Sequence, residues 1–406
     1  MLKTPRGLRT QIGIFGRRNV GKSTFMNALT RQNVSIVSDV PGTTTDPVQK
    51  AMELLPLGPV LLVDTAGLDD GGVLGTERTA RTKKFLDRAD VAVVVSDSCN
   101  WDEFEEDLVR KFLVTGTPLL VVFNKADLFP EPPERAIPFL SEKNVPYLQI
   151  SAVNPHAAES IKAKLIRILP DSFFIPTTIL GDLINPGDNV VLVTPIDSEA
   201  PKGRLIMPQV QTIRDILDNQ AYCTVVQERD LPNALNNMKK KPALVITDSQ
   251  AFLSVAENTP DDVPLTSFSI LFARYKGDLQ TFVDGARSIE KLKPGDKVLV
   301  AEACTHHPTV DDIGTVKIPK WLSQHVGGEL NFSFTRGHDF PEDISSFKLI
   351  IHCGGCTFNP RMMASRIMTC RDAGVPITNY GVAISYSLGI FHRALGPFSN
   401  LSGMEK

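Results

Sequence analysis

The chain is patterned as short apolar runs separated by segments in which apolar residues recur at helical spacing. Gln11–Phe15, Val60–Val63, Val91–Val95, Leu119–Phe123 and Tyr147–Ile150 read as strands covered on both faces. Between them Phe25, Met26 and Leu29 share one helical face. Ile161, Leu165, Ile168 and Leu169 share another, on a helix that ends at Pro170. Strand and helix in alternation predict a doubly wound, mostly parallel sheet. Pro170–Thr178 reads as a linker. Beyond it Val190–Thr194, Tyr222–Val226 and Leu244–Thr247 read as strands, with a helix over Val210–Leu217. A second linker candidate is Asn258–Pro264. The last stretch predicts strands near Ser267–Phe272, Lys297–Ala301, Asn331–Thr335, Leu349–Ile351 and Pro376–Thr378, again between helical patterns. The segments INPGDNVVLV and LKPGDKVLVA each launch a strand from a Pro-Gly-Asp turn, which reads as shared turn chemistry and not as a repeat.

The expected fold class is therefore α/β in three domains: residues 1–170 around the doubly wound sheet, a smaller α/β domain over 171–262, and a third α/β domain over 263–406. The middle stretch is short for an independent α/β core, so a partner surface is expected there.

Composition narrows the function classes. A length of 406 residues suits two or three domains, and 42% hydrophobic with 22% charged residues excludes a largely disordered chain. A net charge of -3 provides no global basic field for nucleic acid or an anionic membrane. No apolar run approaches the ~18–20 residues that cross a bilayer, and the N-terminus lacks the apolar core of a signal peptide. The expectation is a cytoplasmic protein with no nucleic-acid or membrane partner. Six cysteines are too sparse for a disulfide scaffold.

Gly16-Arg17-Arg18-Asn19-Val20-Gly21-Lys22-Ser23 fits G-x-x-x-x-G-K-S/T between a predicted strand and a predicted helix, the context of a phosphate-binding P-loop. Its glycines let backbone N–H groups wrap phosphates at a helix N-terminus. Lys22 would reach the β- and γ-phosphates and Ser23 would ligate Mg²⁺. The strand Val60–Val63 runs into Asp64-Thr65-Ala66-Gly67, where Asp64 can hold Mg²⁺ through water and the Gly67 N–H can sense a γ-phosphate. Leu119–Phe123 runs into Asn124-Lys125-Ala126-Asp127, whose carboxylate can accept two hydrogen bonds from guanine. Adenine has no matching donor pair. Ser151 and Ala152 follow the next strand as a guanine-contacting turn. Four such motifs in order at strand ends imply a GTP- and GDP-binding, GTP-hydrolysing domain. Its expected contacts are Gly16, Asn19, Val20, Gly21, Lys22, Ser23, Thr24, Asp64, Gly67, Asn124, Lys125, Asp127, Ser151 and Ala152, with Lys22, Thr44 and Gly67 acting at the γ-phosphate.

Asn19 within this loop, and Pro41-Gly42-Thr43-Thr44-Thr45-Asp46 at the expected first switch, resemble the Era, EngA and MnmE class of GTPases. The resemblance implies K⁺ binding at Asn19 and an Mg²⁺-capping role for Thr44 beside Ser23 and Asp64. Leu68 stands where Ras-like enzymes carry a water-orienting glutamine, so slow intrinsic turnover is expected, with K⁺ supplying positive charge.

Cys304-Thr305-His306-His307 and His352-Cys353-Gly354-Gly355-Cys356 form the second constellation. Cys304 and Cys353 each follow a predicted strand, and in a parallel sheet both emerge at the carboxyl edge where α/β ligand sites form. Three thiolates with one weak ligand suit an iron–sulfur cluster that must interact with something. A zinc site of three cysteines and one histidine also fits the spacing. Cys99, Cys223 and Cys370 read as small buried hydrophobes.

A GTPase domain of this class joined to C-x-H … H-C-x-x-C resembles the HydF family, the maturation GTPases of FeFe-hydrogenases, over nearly the whole chain. The resemblance implies a scaffold with a middle dimerisation domain and a C-terminal cluster domain. It implies that Cys304, Cys353 and Cys356 hold a 4Fe-4S cluster, with His306, His352 and Asp311 as candidates for the fourth ligand. It further implies a transient diiron precursor, received from two radical-SAM maturases and delivered to apo FeFe-hydrogenase by a homodimer. The alternative is an RNA-associated Era- or MnmE-like GTPase with a structural zinc domain. A nickel or zinc metallochaperone GTPase is a third reading.

Overall fold

The structure is a computed structural model that describes residues 9–30, 48–54, 57–65, 85–86, 88–97, 99–170, 173, 178–195, 205–303, 312–341, 343–398 and 401. The chain divides into two compact units, Met1–Pro176 and Thr177–Lys406.

The described elements of the first unit are β1 (Thr10–Phe15), α1 (Lys22–Thr30), β2 (Val48–Leu54), β3 (Gly58–Asp64), β4 (Val91–Asp97), α2 (Glu103–Val114), β5 (Leu119–Asn124), α3 (Ala136–Glu142), β6 (Tyr147–Gln149) and α4 (Ala157–Ile168). They build a six-stranded sheet in the order β2-β3-β1-β4-β5-β6. Its strands read as unbroken apolar runs because both faces are covered. Ile12, Ile14, Leu62, Val93, Leu120 and Val122 pack with residues of α1 and α4. The alternate residues Phe15, Val63, Val94, Val121 and Phe123 pack with those of α2 and α3. The pattern did not predict β2, which pairs antiparallel with β3 from Val48↔Asp64 to Leu54↔Gly58. It is an edge strand whose polar Gln49, Lys50 and Glu53 interrupt any apolar run.

The second unit holds two all-parallel sheets. The first comprises β7 (Asn189–Val193), β8 (Tyr222–Val226), β9 (Leu244–Thr247) and β10 (Leu265–Ser267), with α5 (Met207–Asp218), α6 (Leu231–Asn236), α7 (Phe252–Asn258), α8 (Phe268–Lys276) and α9 (Leu279–Arg287). The second comprises β11 (Lys297–Glu302), β12 (Asn331–Arg336), β13 (Leu349–His352) and β14 (Ile377–Asn379), with α10 (Ile318–Val326), α11 (Pro360–Asp372), α12 (Tyr380–Ser387) and α13 (Phe391–Leu395). The orders β10-β9-β7-β8 and β12-β11-β13-β14 are the same topology.

The two sheets agree bond by bond. Gly187 N donates to Gln220 O at 2.9 Å and Gly295 N to Glu329 O at 2.8 Å. Asn185 N and Lys293 N each donate to the aspartate three residues on, both at 2.8 Å. Val190 pairs with Leu244 as Val298 pairs with Leu349. Val245 N reaches Pro264 O and Ile350 N reaches Pro376 O, both at 2.9 Å. The two Pro-Gly-Asp segments are thus corresponding parts of a structural repeat, which corrects the sequence reading. Outside the turns and the Val-Pro steps before β10 and β14, the copies share pattern and not residues.

Two further expectations change. The segment near Ser267–Phe272 is helical from Phe268, because the Ser267 hydroxyl caps α8 by accepting from Ile270 N at 3.3 Å. Phe268, Ile270, Leu271, Phe272 and Ala273 are all buried, so this short run carries no helical period. The 262/263 boundary falls inside the first repeat, since Leu265–Ser267 pairs with β9. One continuous core runs from Ile179 to Phe398 across both sheets. The halves also exchange helices: α9 packs on β14 and α13 on β10.

Candidate functional site

In the first unit the motif residues gather at the carboxyl ends of β1, β3, β5 and β6. Gly16 has φ +142, and a Cβ there would lie 2.1 Å from Val95 O, so the turn after β1 requires glycine. Asn19 sits in the left-handed region at φ 64, which asparagine tolerates better than most residues. Lys22 opens α1 and is buried. Its Nζ donates to Gly16 O at 2.9 Å and Arg17 O at 2.6 Å, so the loop wraps its own ammonium. Ser23 Oγ donates to Asp64 Oδ2 at 2.6 Å, which brings the two expected Mg²⁺ ligands into contact. Burial pushes the Asp64 carboxyl above its ordinary range, opposed by the Ser23 hydrogen bond and the Lys22 charge.

Asn124 is buried and serves both sides of the site. Its Nδ2 donates to Val20 O at 3.0 Å and its Oδ1 accepts from Ala152 N at 2.9 Å. Ala126 N donates to Ile150 O at 3.1 Å, tying the Asn124–Asp127 segment to the Ser151 turn. Asp127 is exposed, Thr24 is exposed and Val20 is buried. Ser151 Oγ is buried with no hydrogen-bond partner among the described residues. Thr44 and Gly67 lie outside the described residues.

Sequence reasoning missed Arg17. Its guanidinium bonds Glu105 Oε1 at 2.8 Å, pairs with Asp102, and lies 4.8 Å from the Phe104 ring centroid. Asp102 and Glu105 form the capping box of α2. The D-x-x-E spacing was legible, but its partner in the P-loop was not.

In the second unit the order of strands reverses between β11 and β13, the switch point where open α/β sheets bind ligands. Ala301 and His352 are in register there. Cys353 N donates to Ala301 O at 2.9 Å, and Cys353 Sγ accepts from Ala303 N at 3.1 Å across the two strand ends. The turn continues with Gly355 at φ 63, Phe358 N on Gly355 O at 2.9 Å, and Thr357 Oγ1 on Ala303 O at 3.0 Å. Cys353 and Cys356 are half-buried thiols, neither of them in a disulfide. An amide donor on one sulfur and a glycine turn between the two fit a thiolate-held metal group. Cys304, His306 and Asp311 lie outside the described residues, and among the described residues no three His, Cys, Asp or Glu side chains are grouped to hold a metal. Asp312 caps the following turn, accepting from Thr315 N at 2.6 Å.

His352 is fully buried. Its Nδ1 lies 2.8 Å from Cys353 O, and its Nε2 lies 2.7 Å from Arg366 Nη1. A carbonyl only accepts, so Nδ1 carries the proton and Nε2 accepts from the guanidinium. Burial and the Arg366 charge push the imidazole down to about 3. Both ring nitrogens of His352 are therefore hydrogen-bonded in this arrangement. Glu302 is also buried, bonded by Arg336 Nε at 2.9 Å and Tyr380 OH at 3.2 Å. Of the other cysteines, Cys370 is buried with its thiol pushed up to about 12. Cys223 is half-buried, and Cys99 is exposed, contrary to expectation.

A family model described as the hydrogen maturase F dimerization domain matches residues 179–277, and one described as the hydrogen maturase F tetramerization domain matches residues 280–397. A third, described as a 50S ribosome-binding GTPase, matches residues 11–125. Among curated proteins the chain is similar to GTPase Der of Wolinella succinogenes, 38% identical over 187 residues, which is 43% of this chain and 39% of that protein. It is also similar to the tRNA modification GTPase MnmE of Nitrosomonas europaea, 34% identical over 160 residues, 39% of this chain and 34% of that protein. The matches thus span well under half the length of these relatives. The G domain of the T. maritima FeoB iron transporter is 22% identical, covering 39% of this chain and 98% of that one, with a TM-score of 0.30, too low to carry an argument. No described helix is long and apolar enough to cross a membrane.

Proposed function

The chain belongs to the hydrogen maturase F family, and we propose on that premise that it is a GTPase scaffold for a metallocofactor. It binds GTP with Mg²⁺ in its first unit, holds a 4Fe-4S cluster at the carboxyl edge of its last sheet, and passes a diiron precursor to apo FeFe-hydrogenase. The precursor comes from two radical-SAM maturases. Dimers form through the segment around β7–β10, and pairs of dimers through the segment that follows.

The observation that carries this reading is the Cys353 sulfur held by the Ala303 N–H at the β11/β13 switch point, in a chain that also carries a P-loop GTPase domain. A hydrogen bond donated by an amide N–H to sulfur stabilises thiolate over thiol and favours cluster ligation. Cys304, Cys353 and Cys356 would hold the cluster, which supplies an iron with an exchangeable fourth position where cargo docks. With His352 engaged elsewhere, that position falls to His306, Asp311 or an exogenous ligand.

At the nucleotide site, Lys22 exchanges the Gly16 and Arg17 carbonyls for β- and γ-phosphate oxygens. Ser23, Asp64 and Thr44 hold Mg²⁺, Asn19 contributes to a K⁺ site, and Asp127 reads guanine. Thr44 and Gly67 report the γ-phosphate to the partner-binding surface. Hydrolysis is slow, as suits a switch.

The test is iron, sulfide and zinc per chain, with EPR of the reduced protein, on anaerobically reconstituted wild type and Cys304→Ser. Cluster in the wild type and its loss in the variant are expected. Zinc without sulfide in the wild type would replace this reading with a structural zinc site.

A further inference from the structure

Arg366 of α11 is a buried guanidinium that carries out three tasks. Its Nη1 bonds His352 Nε2 at 2.7 Å, and its Nη2 donates to Gly337 O at 2.8 Å and Asp339 O at 3.4 Å. Its Cζ lies 4.8 Å from the Phe340 ring centroid and 4.6 Å from that of Phe358. One cation therefore joins the end of β13, the loop after β12 and the helix after the cysteine turn. The chain from Arg366 to the sulfur is short. Arg366 holds the imidazole of His352, and His352 Nδ1–H holds the Cys353 carbonyl at 2.8 Å.

The other half of the repeat supplies an internal control. Ala301 pairs with His352 where Val193 pairs with Thr247, so Thr247 occupies the position of His352. Thr247 Oγ1 also donates to the carbonyl of the next residue, Asp248, at 3.3 Å. Where no cysteine turn follows, a longer and weaker threonine bond thus stands in place of the 2.8 Å imidazole bond. The half without the cysteine turn manages without an imidazole there, so the histidine–arginine pair serves something other than the strand end.

We propose that Arg366 is a positioning residue for the iron–sulfur site, acting through His352 to fix the Cys353–Cys356 turn and to keep the imidazole out of the iron's ligand set. This rests on the scaffold reading above. Outer partners of metal ligands set the orientation of the ligand and through it the retention and electronic character of the metal. A guanidinium is suited to this place because its planar fork gives one bond to the ring and others to the loop carbonyls, which an ammonium cannot do in one plane.

The experiment compares reconstituted full-length wild type with Arg366→Met, Arg366→Lys, His352→Thr and the Arg366→Met/His352→Thr pair. Readouts are the rate of iron loss to a chelator, the EPR spectrum of the reduced cluster, and far-UV circular dichroism as a check of fold. Arg366→Met should lose iron about 10-fold faster or more and show a broadened or divided EPR signal. Arg366→Lys should recover part of both. His352→Thr should match Arg366→Met, and the pair should be no worse than either alone. The inference is overturned if folded Arg366→Met keeps wild-type retention and spectrum. It is equally overturned if His352→Thr alters the spectrum while Arg366→Met does not, which would make the imidazole a ligand. Arg366→Lys carries the same comparison if the methionine chain does not fold. A wild type that holds no iron and sulfide sinks the scaffold reading itself, a result distinct from either.

Discussion

The side-chain amide of Asn124 donates to the carbonyl of Val20 at 3.0 Å, across the whole width of the nucleotide site. Because its oxygen also accepts from Ala152 N at 2.9 Å, one buried group links the phosphate loop to the guanine-facing turns after β5 and β6. Gly21 makes room for it: a Cβ there would lie 2.3 Å from Asn124 Nδ2. Phosphate and base recognition are therefore mechanically one site.

Asn124→Ala leaves the Val20 carbonyl and the Ala152 N–H without their partner. Each such loss costs about 1–3 kcal/mol when buried. The variant should bind GTP and GDP more weakly and melt its first unit at lower temperature. Titration calorimetry and a thermal scan of the full chain read both. Wild-type nucleotide affinity would contradict the shared role.

His352 makes the second unit acid-labile in a defined window. Its ordinary value of 6.5 is depressed to about 3 in the folded chain by burial and by Arg366. Between those values the unfolded chain binds a proton that the folded chain does not, so stability rises with pH. The contribution is fully present above pH 6.5 and is lost as pH falls towards about 3. His352→Thr should flatten that dependence by one proton. Urea unfolding at several pH values, followed by Trp321 fluorescence in a Trp101→Phe background, measures it. Parallel pH profiles for the two chains would disprove the assignment.

How much of this was legible in the sequence follows from how local each feature is. The core strands of the first unit were visible because both their faces are buried, and the P-loop because its residues are contiguous. Asn124 was singled out for guanine recognition, yet its bond to Val20 depends on a register that only the folded sheet creates. The edge strand β2 has no apolar period to read, and α8 is buried all round, so it imitates a strand. The repeat was hidden because, outside the Pro-Gly-Asp turns and the Val-Pro steps, its two copies keep backbone bonds and not side chains. His352 was singled out as a candidate ligand because the cysteines lie beside it in sequence. The partner that engages it, Arg366, sits on the next helix, beyond any motif spacing.

Asn19 carries the potassium prediction. Its backbone is left-handed at φ 64, between the two glycines of the loop that wraps Lys22. If its side chain helps hold a monovalent cation against the phosphates, GTP hydrolysis should be faster in K⁺ than in Na⁺. Asn19→Ala should remove that difference while leaving the slower rate. Steady-state phosphate release in the two salts is the measurement, and equal wild-type rates would end the proposal.

Gly285 tests the exchange of helices between the two halves of the second unit. It lies on α9, where an added Cβ would fall 1.9 Å from Ile377 O and 3.1 Å from Thr378 N. Those neighbours are backbone of β14 and cannot turn aside. Thr378 Oγ1 fastens the same contact by donating to Phe282 O at 2.8 Å. Gly285→Ala must push α9 off β14, at a cost of about 1–3 kcal/mol or more by overpacking. Because one core runs through both sheets, the loss should lower a single unfolding transition of the whole second unit. Gly295→Ala is the comparison: its φ is +89 but nothing stands within 4 Å of the added carbon. It should therefore cost only backbone strain of about 1 kcal/mol. Calorimetry of the full chain with both variants decides the matter. Separate melting of the two sheets, or a Gly285→Ala chain as stable as Gly295→Ala, would show that the halves do not depend on each other's helices.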